Sequence, residues 1–262
     1  MFGSMRVIVV TSQKGGSGKT TLSGHIAVQA ELAGEGPVAL IDTDPQGSLA
    51  AWWNARKGET PAFAQTDVSR LYADLGQLRA SGIRLVVIDT PPAVTGVIRA
   101  VVAFADLVVI PTRPSPHDLR AVAATLDIVE AKNKPLVFVV NGATPRARIT
   151  GDAAVALSQH GTVAPVTIHH RTDFASSMID GRTVMECDAE GKSAQEIVQL
   201  WTYLAARLAK LPKPWEGAVQ PAAAPTVAER PVFGRVEQTS VGTIVASNVA
   251  NAAAGFGRRV AA

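Results

Sequence analysis

The chain is poor in cysteine, in aromatics and in net charge, and each shortage closes off a class of protein. One cysteine, Cys187, among 262 residues cannot form an intramolecular disulfide and excludes cysteine-only metal or iron–sulfur frameworks within one chain. A single thiol also fits a reducing compartment. Aromatic residues make up 5% of the sequence and only two are tyrosines, so a tyrosine-rich regulatory tail is excluded. The formal net charge is +3, and any nucleic-acid contact must therefore come from clustered basic residues rather than from bulk charge. No apolar run approaches the ~18–20 residues that cross a bilayer. The N-terminal Val7-Ile8-Val9-Val10 is too short for the apolar core of a signal peptide. These shortages predict a soluble cytoplasmic protein.

What is present is aliphatic. With 47% hydrophobic and 18% charged residues, the chain can build one large domain with a full core, or one domain plus an extension. Strands are predicted at 7–10, 38–41, 63–65, 85–89, 107–111, 136–140 and 163–168. Helical spacing is predicted at 22–32, 48–57, 69–80, 117–131, 152–160 and 192–210. The alternation predicts an α/β fold, a mostly parallel twisted sheet with helices on both faces. Trp52 and Trp53 are adjacent on one helix and cannot share a face. One is expected to point inward and the other to meet a neighbouring segment or subunit. The globular domain is expected to span 1–211. From there Pro212, Pro214, Pro221, Pro225 and Pro231 punctuate an Ala-rich segment, so residues 212–262 read as a flexible extension. Residues 241–257, before Arg258-Arg259, put no Leu or Trp on any face. They read as disordered rather than as a helix for a partner or a membrane surface.

Three segments carry chemistry. The first strand runs into Gln13-Lys14-Gly15-Gly16-Ser17-Gly18-Lys19-Thr20-Thr21 and then into a helix, the setting of a phosphate-binding loop. Its glycines let successive N–H groups turn inward onto an anion, and the helix N-terminus adds partial positive charge. Lys19 is placed to reach β- and γ-phosphates, and the Thr20 hydroxyl to join a magnesium shell. Gln13 stands where such loops ordinarily carry glycine, and a second lysine, Lys14, follows it. The second segment is Asp42-Thr43-Asp44-Pro45-Gln46-Gly47, two acids at the carboxyl end of a strand, where open α/β sheets bind ligands. The third is Leu85-Val86-Val87-Ile88-Asp89-Thr90-Pro91-Pro92. Its four β-formers end on a carboxylate that can orient a magnesium ion or its water.

Together these segments resemble the ParA/MinD family of deviant Walker ATPases. The Asp-Pro-Gln-Gly element, Thr112-Arg113-Pro114-Ser115-Pro116-His117-Asp118-Leu119 and the later Arg171-Thr172-Asp173-Phe174 and Gly191-Lys192-Ser193-Ala194 are most similar to small ParA proteins without an N-terminal DNA-reading domain. The resemblance covers about residues 5–210. It implies an ATP- and Mg2+-dependent homodimer that sandwiches two nucleotides. Lys14 would be the signature lysine that crosses to the partner's phosphates, and Asp44 the residue that positions the attacking water. Gly15, Gly16, Ser17, Gly18, Lys19, Thr20 and Thr21 would hold the phosphates, with Thr20, Asp42 and Asp89 around the metal and Asn141 at the adenine.

The resemblance further implies non-specific binding to nucleoid DNA through Arg171, Arg182 and Lys192, with hydrolysis stimulated by a ParB-like or other cargo adaptor. The chain would then position a plasmid, a chromosome region or a protein cluster. At His169-His170 it departs from the family, many members of which carry a proline there; two adjacent histidines without further ligands do not make a zinc site. A MinD-like membrane-cycling role would need an amphipathic basic C-terminal helix, which the tail matches poorly. A reductase iron protein would need a cysteine pair, and a synthetase would not explain Lys14.

Overall fold

A computed structural model describes residues 5–92, 96–212 and 232–233. Seven parallel strands form the sheet: β1 (Arg6–Val10), β2 (Val38–Asp42), β3 (Ala62–Gln65), β4 (Leu85–Asp89), β5 (Leu107–Thr112), β6 (Leu136–Ala143) and β7 (Ile168–His169). Their spatial order is β7-β6-β5-β1-β4-β2-β3, with β8 (Val232–Phe233) added antiparallel at the β3 edge. The helices are α1 (Lys19–Leu32), α2 (Ser48–Ala55), α3 (Leu71–Ala80), α4 (Gly96–Val102), α5 (Pro116–Ala131), α6 (Arg148–Ser158), α7 (Thr172–Met178), α8 (Val184–Cys187) and α9 (Lys192–Lys210).

Every residue of β1, β4 and β5 is buried, because helices cover both sheet faces; this is why these strands are continuous apolar runs and not alternating ones. The side-chain period of two divides them between two cores. Ile8, Val10 and Val87 join Leu22 and Ile26 of α1 and Leu200, Trp201 and Leu204 of α9. Val7, Val9 and Val86 join Leu75 of α3, Ile98 of α4 and Leu126 of α5.

Strand order reverses at β1, which lies between β4 and β5. Crevices at such a switch point, beyond the carboxyl ends of the strands, are where ligands bind. Register does the rest: Val10 pairs with Asp89 and Asp42 with Asp89, so the start of the glycine loop and two of the three acids come out at one level.

Several elements differ from the sequence expectations. Helix α1 starts at Lys19 rather than Leu22, because Gly18 at φ 93 turns the loop straight into the helix. Strand 163–168 shrinks to Ile168–His169 plus an isolated bridge between Phe138 and Val163; Pro165 has no N–H to give a ladder. Helix α6 begins at Arg148 instead of 152, and α4, α7 and α8 had no counterpart. Their 4–7 residues are too few for a helical period to stand out.

Both tryptophans pack inward. Trp52 lies over Gly24 and donates to Arg182 O, 3.1 Å, while Trp53 lies against Phe63 and donates to Pro61 O, 2.7 Å. Helix α2 is wedged between neighbours on both sides, so adjacent positions each find protein and neither waits for another subunit. Apart from Pro212 and the two residues of β8, the expected flexible extension, with 241–257 and Arg258-Arg259, lies outside the described residues, as do 1–4 and 93–95.

Candidate nucleotide-binding site

The glycine loop is held from three directions. Thr11 N donates to Val109 O at 3.0 Å, Gln13 N to the Thr125 hydroxyl of α5 at 3.3 Å, and Asn141 Nδ2 to Ser17 O at 2.6 Å. Gly16 and Gly18 take left-handed φ values of 72 and 93. A Cβ on Gly18 would overlap the Asn141 carboxamide, so this residue has to be glycine on two counts. Helix α1 has no side-chain cap and no acid in its first turn, which leaves its first N–H groups and its positive dipole end to an incoming anion.

The side chains around the loop fit a nucleotide phosphate. Lys19 is 7% exposed, and among the described residues its ammonium donates only to Lys14 O, at 3.4 Å. Burial pulls its pKa down, and the charges of Asp89 and Asp44 oppose that shift without cancelling it. Ser17 Oγ, Gln13 Nε2 and Thr11 Oγ1 are buried without a hydrogen-bond partner among the described residues, donors and acceptors that a bound anion or its waters would satisfy. Lys14 is exposed, and its ammonium meets no partner among the described residues.

The acids divide the remaining work. Asp89 is 1% exposed and accepts from Thr20 Oγ1 at 2.6 Å, Ser23 Oγ at 3.3 Å and its neighbour Thr90 N at 3.1 Å. Burial pushes its carboxyl up to about 7; the Thr20 hydroxyl and Lys19 oppose the rise and Asp42 adds to it. Asp42 is a brace: Oδ1 accepts from Asp44 N at 3.0 Å, and Oδ2 from Leu49 N and Ala50 N at 3.0 and 3.1 Å. It thereby closes the N-terminus of α2, whose N-cap Gly47 has no side chain to do so. Asp44 Oδ1 accepts from Gln46 N at 3.0 Å, and Thr43 bonds twice to Asp89 O. No group of three His, Cys, Asp or Glu side chains able to hold a metal occurs among the described residues. Thr20 Oγ1 and the Asp89 carboxylate it bonds are oxygen donors of the kind that Mg2+ takes alongside water and phosphate.

The three cations expected to meet DNA lie on the α7–α9 side, and two of them are already paired. Arg171 gives both guanidinium arms to Glu196, 2.7 Å each, and His169 adds Nδ1 at 2.7 Å and N at 3.0 Å to the same carboxylate. Burial alone would raise the Glu196 carboxyl, but these bonds hold it below its ordinary value. His169, the departure noted in the sequence, is used here. Arg182 is exposed and pairs with Asp180 at 2.8 Å. Lys192 is exposed at the start of α9, next to Ser193, whose hydroxyl donates to Asp173 of α7 at 2.8 Å.

Sequence reasoning missed the residues that tie this side to the loop. His25 is fully buried; its Nδ1 donates to Thr21 O at 2.7 Å and its Nε2 accepts from Val184 N at 3.2 Å. Burial drives its pKa down to about 4, so the ring is neutral. Arg56 donates to Gly181 O at 2.8 Å and to both oxygens of Glu186 at 2.6 and 2.9 Å, and Glu186 closes a capping box with Thr183. An isolated histidine in an apolar helix was a faint signal for the first. Nothing in the sequence marks a partner 130 residues from Arg56.

Comparison with known proteins agrees with this geometry. A family model described as the CobQ/CobB/MinD/ParA nucleotide binding domain matches residues 8–192. The chain is 30% identical over 204 residues to maintenance of carboxysome distribution protein A of Halothiobacillus neapolitanus, covering 72% of this chain and 91% of that one. It is 28% identical over 176 residues to the chromosome-partitioning ATPase Soj of Thermus thermophilus, covering 56% and 68%. Among solved structures, MinD in the Aquifex aeolicus MinC:MinD cell division complex superposes with a TM-score of 0.65 at 19% identity, over 77% of this chain and 96% of that one.

Proposed function

The chain belongs to the CobQ/CobB/MinD/ParA nucleotide-binding family, and we propose that it is an ATPase that dimerises on ATP, binds DNA without sequence preference and positions a cargo. The observation that carries this reading is the contrast between the two lysines of the loop. Lys19 is buried and turned back on the loop's own backbone, whereas Lys14 stands exposed with no partner among the described residues. A lysine so placed can complete a phosphate site in another copy of the chain, which makes hydrolysis depend on dimerisation.

In this mechanism Lys19 and the first-turn N–H groups of α1 neutralise the β- and γ-phosphates. Asp89 fixes the Thr20 hydroxyl, and the two would hold a magnesium ion, which would supply positive charge against the phosphates. Asp44, set by the brace from Asp42, orients the attacking water and takes its proton. Asn141, at the loop through Ser17 O, keeps its carbonyl oxygen for the adenine. Lys192, Arg182 and Arg171 meet DNA phosphates as a dimer-wide set, so binding falls with salt. The cargo is a protein assembly or a DNA segment, presented by an adaptor that stimulates hydrolysis; the carboxysome-distribution relative supports the first. No helix among the described residues is long and apolar enough to cross a membrane, and the working location proposed is the nucleoid.

The test is sizing of the full chain with ATP and Mg2+. Asp44→Ala should bind ATP, accumulate as a dimer and lose turnover. Lys14→Ala should bind nucleotide and stay monomeric; a normal dimer from that variant would refute the shared site.

A further inference from the structure

Arg113 has no role in the site as described so far, yet it lies on the glycine loop. It follows β5, and its backbone is pinned by Ser115 N, which donates to Arg113 O at 2.8 Å; Ser115 in turn caps α5 by accepting from Asp118 N at 3.1 Å. The side chain runs over two glycines. A Cβ placed on Gly142 would lie 3.6 Å from both Cγ and Nε of Arg113, and one placed on Gly16 would lie 3.7, 3.8 and 3.9 Å from Nη2, Nη1 and Cζ. The near-equal distances mean that the guanidinium turns its face to the place where a Cβ on Gly16 would stand. Both glycines hold left-handed φ values, 72 and 66, and both leave the space that the arginine fills.

The head group is exposed and meets no carboxylate or carbonyl among the described residues. Lys14 and Lys19 belong to the same loop. Three cations around one turn repel one another unless an anion lies between them. A guanidinium, a rigid fork of N–H donors, suits the non-bridging oxygens of a phosphate. We propose that Arg113 is a further phosphate-contacting residue of the nucleotide site, acting on the nucleotide bound in its own protomer. This rests on the nucleotide reading of the loop. A cis contact follows from the geometry, since the guanidinium rests on its own chain's Gly16, whereas Lys14 is exposed and meets no partner among the described residues.

The experiment is titration of the full chain with fluorescent ATP and ADP analogues and Mg2+, for the wild type, Arg113→Ala and Arg113→Lys, together with nucleotide-free thermal melting and sizing with ATP. Loss of one charge-assisted contact should weaken both nucleotides about tenfold in Arg113→Ala. Arg113→Lys should recover part of that loss, and the nucleotide-free melting temperature should not move. Wild-type affinity in Arg113→Ala would overturn the proposal while leaving the nucleotide site intact; a wild type that binds neither analogue would remove the site itself. Normal nucleotide affinity with loss of the ATP dimer would mean that Arg113 acts on the partner's nucleotide. A fall in nucleotide-free stability matching the fall in affinity would make the role structural. Either result overturns the cis contact.

Discussion

The cations at the glycine loop and the two arginines on the α7–α9 side, Arg171 and Arg182, are in opposite states. Around the loop, among the described residues, Lys19 donates to a carbonyl and feels Asp89 and Asp44 only through their charges, and Lys14 and Arg113 find no partner. On the other side, Arg171 is clasped by Glu196 and Arg182 by Asp180. A buried or crowded cation without an anion is costly and is relieved by binding one. A cation already paired gains little from a second anion unless the first lets go. The loop is therefore built to take up an anion strongly, and the α7–α9 side to exchange one weakly and reversibly.

The comparison can be broken most severely at Arg56. Arg56→Ala removes a buried arginine, 7% exposed, with its bonds to Gly181 O and to Glu186, which keeps only Thr183. It should cost about 3 kcal/mol of stability, measured by denaturant unfolding without nucleotide. A loss under about 1 kcal/mol would mean that the 181–187 segment is not rigidly mounted on α2.

A smaller effect is expected from pH through His25, which faces Thr21, Val184, Phe174 and the charge of Glu186. Its native pKa is near 4, below the ordinary value near 6.5. Above pH 6.5 the ring is neutral in both states and stability is fully present. As pH falls from there toward 4, the unfolded chain takes up a proton that the native state refuses. The loss due to His25 should reach about 2 kcal/mol by pH 5, and His25→Asn should remove it. The same pH slope in both proteins would show that His25 does not sense acid.

The smallest change sharpens the contrast. Glu196→Gln should free Arg171 and raise DNA affinity about threefold at moderate salt, with a steeper salt dependence and unchanged nucleotide affinity. If DNA affinity stays the same, Arg171 serves the fold and not the DNA.

The nucleotide site was legible because its residues are local. Residues 13–21 form one continuous strand–loop–helix, and Asp42, Asp44 and Asp89 close off strands whose apolar runs announce them. The α7–α9 side was not legible. Whether Arg171 is free depends on Glu196, 25 residues on, and a solvated arginine and a clasped one look alike in one dimension. That Asp42 also braces α2 was not legible either, because the need for it comes from Gly47, which leaves that helix without a side-chain cap. Strand 163–168 failed on Pro165, a breaker inside a run that otherwise reads well.

By itself, then, the sequence determined the sheet's apolar strands, the loop that turns on Gly16 and Gly18, and the acids at the strand ends. These follow from period, backbone freedom and residue chemistry, which act over a few neighbours. Only the tertiary structure decided which charges are already neutralised. Ion pairing depends on distance through space, and the fold brings Arg56 to Glu186, Arg171 to Glu196 and Arg113 to Gly16 across gaps in the chain that no local pattern spans.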